Sequence, residues 1–93
     1  MLEHPITSSN VRVLIVDDDE ITRIGLRHAL EKMNLFEAVH EAPGATDLLT
    51  RLDSHPVDLI LLDISMPGLN GIEATRMIKQ QFPHVKEIGR AHV

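Results

Sequence analysis

Two apolar runs, each stopped by aspartate, constrain this chain more than any other feature. Val11 to Val16 reads VRVLIV and ends at Asp17, Asp18 and Asp19. Val57 to Leu62 reads VDLILL and ends at Asp63. A strand with one wet face alternates apolar and polar residues, whereas a near-continuous β-branched run suits a strand covered on both faces, as in a parallel sheet. The chain is therefore read as carrying at least two central parallel strands, with acid at the carboxyl end of each.

The segments between these runs fit that reading. From Glu20 to Met33, the residues Thr22, Gly25, Leu26, Ala29, Leu30 and Met33 recur at helical spacing and form one stripe. Glu20 lies in the first turn, where negative charge suits the helix dipole. Ile21 and Ile24 lie off that stripe. Phe36 to Glu41 reads as a shorter, more polar edge strand. Pro43 and Gly44 break the chain, and Ala45 to Leu52 reads as a helix with Leu48, Leu49 and Leu52 inward. The segment from Gly71 to Gln81 reads as a helix burying Ile72, Thr75, Ile78 and Phe82, and Pro83 stops it. The order β-α-β-α-β-α predicts an α/β fold, a doubly wound parallel sheet with right-handed crossovers.

Composition excludes several classes of function. The chain has 93 residues, room for one domain at most, and a net charge of −5. Gripping a nucleic-acid backbone needs clustered Lys and Arg, so no direct nucleic-acid contact is expected from this segment. With no cysteine, disulfide frameworks and thiolate metal sites are ruled out. MLEHPITSSN lacks a basic region followed by an apolar run, so no signal peptide is read. No apolar stretch is long enough to span a bilayer, and the expectation is a cytoplasmic protein without membrane contact. Residues 1–10 read as a flexible lead-in. The six histidines, at 4, 28, 40, 55, 84 and 92, show no metal-ligand spacing and read as surface groups.

In an open parallel sheet, ligands sit outside the carboxyl ends of the strands, where the strand order reverses. If the first and third strands are neighbours, Asp17, Asp18 and Asp63 meet there. Close carboxylates repel, and a hard divalent cation with oxygen preference, such as Mg²⁺, relieves the repulsion. Such a cation also lets a carboxylate attack a phosphoryl group, chemistry for which aspartate is a known nucleophile. Any one of these aspartates could be a helix cap or turn residue instead, and Asp19 is read that way. Capping does not explain acid at the ends of two separate buried strands.

VLIVDDDE followed by LILLDISMPGLNGIEATRMIK closely resembles the receiver domains of two-component response regulators, over about residues 11–86. The resemblance implies a flavodoxin-like (CheY-like) fold and phosphotransfer from a partner sensor histidine kinase. By position, Asp63 resembles the phosphoacceptor. Asp18 resembles a direct Mg²⁺ ligand, and Asp17 the acid that holds the ion through water. Ser65 stands where the family supplies a backbone carbonyl to the metal. Ile21 and Ile24 lie on the helix where family partners dock. The wording GIEATRMIKQQFP is most similar to receivers that carry a LuxR-type helix-turn-helix output, which implies DNA contact through a further domain. Homodimer formation by the full-length protein stays open.

The family has two further strand–helix units, with a Ser or Thr ending the fourth strand and a Lys ending the fifth, and neither residue can be assigned here. Lys86 is placed before the fourth strand. The closing EIGRAHV is poor in β-formers. It can also be written as the opening codons of a common sequencing-library adapter, so residues 87–93 are read as a non-native tail. The expected sheet is then incomplete. Strands in the order 2-1-3 are present, the last two strand–helix units are missing, the third strand is left open, and the chain is marginally stable.

Two rival readings remain. A phosphatase of the haloacid dehalogenase type also uses an aspartyl nucleophile, but Asp17-Asp18-Asp19-Glu20-Ile21 ends in the wrong residue and leaves Asp63 unexplained. A receiver-like interaction module that is never phosphorylated fits the missing Ser/Thr and Lys. The leading reading is a phosphoryl-accepting switch, not a turnover enzyme.

Overall fold

The computed structural model describes residues 10–90. Apart from Asn10, the lead-in expected over residues 1–10 lies outside them, as do residues 91–93 of the tail and the histidines at 4 and 92. The elements alternate: β1 (Arg12–Val16), α1 (Glu20–Met33), β2 (Ala38–Ala42), α2 (Ala45–Ser54), β3 (Leu59–Asp63), α3 (Gly71–Gln81) and β4 (Lys86–Arg90). All strand pairs are parallel, and the sheet order is β2-β1-β3-β4. This is the flavodoxin-like arrangement the sequence predicts, with helices on both faces.

Alternation along β1 divides the two faces. Leu14 and Val16 point into a core shared with Ile60 and Leu62 of β3, Leu48 and Leu52 of α2, and Ala74 and Ile78 of α3. Val13 and Ile15 point the other way and are also fully buried. On that second face α1 lies against β1 and β2. Glu41, the register partner of Ile15, accepts from Arg23 at 2.8 Å and also pairs with Arg27. Burial of both faces of β1 from Val13 to Val16 is the physical reason its run is apolar beyond Arg12.

The helix stripes differ in detail from expectation. In α1, Gly25, Ala29 and Met33 are exposed, while Ile24 joins Thr22, Leu26 and Leu30 at partial burial. Arg23 and Arg27 turn to the sheet because Glu41 is there to receive them, which rotates the packed side toward Ile24. In α3, Ala74 and Ile78 are buried, but Ile72 is 73% exposed, and Thr75 and Phe82 are half-buried. The inward residue of the first turn is the small Ala74, which lets the helix approach the sheet. Leu49 of α2 is half-buried rather than inward with Leu48 and Leu52.

The fourth strand corrects the expected open edge. Residues 86–90 pair with β3 over its whole length, with Leu59 beside Lys86 and Asp63 beside Arg90. Lys86 therefore begins β4 instead of preceding it, and the order 2-1-3 extends to 2-1-3-4. The reason is backbone satisfaction. The free N–H and C=O groups of β3 accept any neighbour that can extend, whatever its side chains. Glu87 is held from the helix side, where it accepts from Thr75 Oγ1 of α3 at 2.7 Å. The α1 side of the new edge stays uncovered: Ile88, beside half-buried Leu61, is 53% exposed.

Candidate functional site

The site sits at the carboxyl ends of β1, β3 and β4. Asp17 directly follows β1, and its backbone N–H extends the ladder to Ala42 O at 3.1 Å. Asp63 closes β3. Side-by-side pairing of β1 and β3 thus brings together two acids 46 positions apart in sequence. Carboxylate oxygens of Asp17, Asp18 and Asp63 all lie within 4.8 Å of one another. Asp17 and Asp63 are 0% and 1% exposed, whereas Asp18 faces solvent.

Each buried carboxylate is aimed by local hydrogen bonds. Oδ1 of Asp17 accepts the backbone N–H of Asp19 at 2.8 Å, and the Asp17 carbonyl accepts from Arg23 Nη1 at 2.8 Å. Its Oδ2 is ion-paired with Nη2 of Arg90. Oδ1 of Asp63 accepts from both Ser65 donors, the backbone N–H at 2.9 Å and the hydroxyl at 2.6 Å. These bonds orient both carboxylates. Asp19 occupies the N-cap position of α1 as expected, yet its carboxylate takes the Thr22 hydroxyl and caps no backbone N–H.

The loop after Asp63 returns the chain to α3. Gly68 has φ of 77°, a left-handed value that an L side chain rarely adopts. Asn70 then caps α3, its Oδ1 accepting from the N–H groups of Ile72 and Glu73 at 3.1 Å each. The loop was legible from Pro67 and Gly68, whereas the Asn70 cap was not read, although Asn is a favoured N-cap residue.

Three clustered carboxylates with hard oxygen donors, two of them buried, fit an oxygen-seeking divalent cation, and no histidine joins the group among the described residues. Ile21 and Ile24, read as partner-docking residues, are 83% exposed and half-buried respectively. The sequence reading missed Arg90, because the segment holding it was not read as a strand.

Comparison with known proteins places this architecture. The family model for the response regulator receiver domain matches residues 13–89. The chain belongs to that family, the phosphorelay receivers of two-component systems. Response regulator UvrY of Escherichia coli (strain K12) is 41% identical over 78 residues, 84% of this chain and 36% of UvrY. RcsB from Salmonella enterica serovar Typhimurium, solved bound to promoter rprA with the phosphomimetic BeF3-, superposes with a TM-score of 0.81 at 31% identity; the match covers 89% of this chain and 43% of RcsB. The MaeR response regulator bound to beryllium trifluoride gives a TM-score of 0.80 at 28% identity, covering 89% and 68% of the two chains. The chain thus spans about a third of the length of its curated relatives.

Proposed function

We propose that this chain accepts a phosphoryl group on Asp63 from a sensor histidine kinase, as the receiver part of a transcriptional response regulator. The observation that carries the reading is the meeting of Asp17, Asp18 and Asp63 within 4.8 Å at neighbouring strand ends. Asp63 is the one of the three that closes β3, and Ser65 holds its carboxylate plane through two donors.

In this reading an Asp63 carboxylate oxygen attacks the phosphorus of a phosphohistidine. The O–P bond forms, the N–P bond breaks with its electron pair returning to the ring nitrogen, and the imidazole, already protonated on its other nitrogen, leaves neutral. Asp17, Asp18, Asp63 and the Ser65 carbonyl would hold Mg²⁺. When bound, that ion supplies positive charge against the carboxylates and the transferring oxygens. The Ser65 donors keep Asp63 from rotating during attack, which is a positional contribution. The protein is modified by its partner and does not turn over substrate.

Ile21 and Ile24 form the proposed docking side of α1. The proposed setting is cytoplasmic. DNA contact would come through an output domain outside this segment, with full-length homodimerisation open; RcsB, solved on promoter DNA, supports that arrangement. The test is incubation with Mg²⁺ and acetyl phosphate. An acid-stable, base-labile adduct that Asp63→Asn abolishes is expected. An unmodified chain with intact fold would favour a receiver-like interaction module instead.

A further inference from the structure

Arg90 ends β4 with its Cα in register with Asp63, and its carbonyl accepts from Ile64 N–H at 3.0 Å. The backbone ladder therefore fixes where this side chain starts. Its guanidinium crosses β3 to reach Oδ2 of Asp17, a carboxylate with no exposure. Asp17's other oxygen is engaged by the Asp19 N–H at the entry to α1. The first engagement can be undone by a side-chain swing. The second is made by a backbone N–H at the N-cap of α1. Arg90 Nε is shielded from solvent and lacks a hydrogen-bond partner, so the guanidinium is held by this one ion pair more than by a network.

We infer that Arg90 is a tethered counter-cation that competes with the divalent ion for Asp17, setting how tightly this chain takes metal. The inference rests on reading the three aspartates as a cation site. It concerns this chain whatever the origin of residues 87–93. In the metal-free protein the guanidinium offsets part of the charge of three carboxylates. An entering cation must displace it from Oδ2, and the lost ion pair is subtracted from the cation's own binding. Arg is suited to the role because it stays charged at every working pH, so the competition does not switch off.

The test is direct binding of Mn²⁺, followed by its paramagnetic resonance signal, to the parent chain, Arg90→Gln and Arg90→Lys. Arg90→Gln is expected to bind about tenfold tighter than the parent, the size of a displaced ion pair with one buried partner. Arg90→Lys is expected to fall between them. Equal or weaker binding by Arg90→Gln overturns the competition while leaving the cation site intact. No binding by any of the three overturns the cation site, and the competition with it. A second measurement needs no variant. In the parent chain, the Arg90 Nε–Hε nuclear resonance should shift and exchange faster with water as Mg²⁺ is added. A resonance unmoved at saturating Mg²⁺ would also overturn the proposal.

Discussion

Replacing Asp63 by Asn should stabilise the metal-free protein and destabilise it relative to the parent once Mg²⁺ is present. At the 4.8 Å limit of the cluster, two like charges repel by about 3.5 kcal/mol at an effective dielectric near 20. Asp63 faces two such neighbours. Exposure of Asp18 weakens one repulsion, and the guanidinium of Arg90 offsets part of the rest. Asn keeps an Oδ1 acceptor for both Ser65 donors, so those two hydrogen bonds are retained. The expected net gain is about 1–2 kcal/mol in chelator. Saturating metal reverses the order, because a ligand at a hundred times its Kd adds about 2.7 kcal/mol to a fold that binds it. Urea unfolding in EDTA and in Mg²⁺, with equal denaturant slopes, reads both values. A variant less stable than the parent in EDTA, or an order indifferent to Mg²⁺, would refute the electrostatic account.

Other outcomes follow from single contacts. Ile60→Ala, at a position with no exposure, should cost about 2–5 kcal/mol by urea unfolding, through lost burial and a residual cavity. Asn70→Ala should cost about 1 kcal/mol, since two N–H groups at the start of α3 lose their acceptor. The Arg12 side chain, then its backbone N–H, holds the Asp58 carboxyl below its ordinary 3.8. That contribution is fully present above pH 3.8 and is lost as pH falls through the lower folded value, so the cost of Asp58→Asn should vanish in strong acid. Burial, then His55 and Arg51, lowers the His40 pKa; stability should fall as pH drops below 6.5, and His40→Gln should flatten that slope. Ile24→Asp should slow phosphotransfer from the cognate kinase and spare labelling by acetyl phosphate; equal loss in both would mean misfolding instead of docking. If residues 87–93 derive from an adapter, genomic reads across the junction should diverge after Lys86, and in-frame continuation through EIGRAHV would contradict that origin.

The sheet was legible because β1 is buried on both faces beyond Arg12, while β3 is buried on one face and half-buried on the other, which favours apolar runs. Asp17 and Asp63 were legible as the acids that stop those runs. The span of α1 was read to the residue, but its packed side was not. Periodicity favoured Gly25 and Ala29, whereas Glu41 on the facing strand draws Arg23 and Arg27 inward. β4 was missed for a related reason. Its pairing comes from the open backbone edge of β3, and its five residues carry little side-chain signal for a strand. With β4 unread, Arg90 could not be placed beside Asp17.

The central claim is that Asp63 accepts phosphoryl groups, and locating the modification tests it most directly. After incubation with Mg²⁺ and acetyl phosphate, borohydride reduces an aspartyl phosphate to homoserine, which peptide mass spectrometry assigns to one position. Conversion at Asp63, absent in EDTA and absent in Asp63→Asn, is the expected result. Conversion at Asp17 or Asp18 instead, or none in a folded chain that binds Mg²⁺, would contradict it.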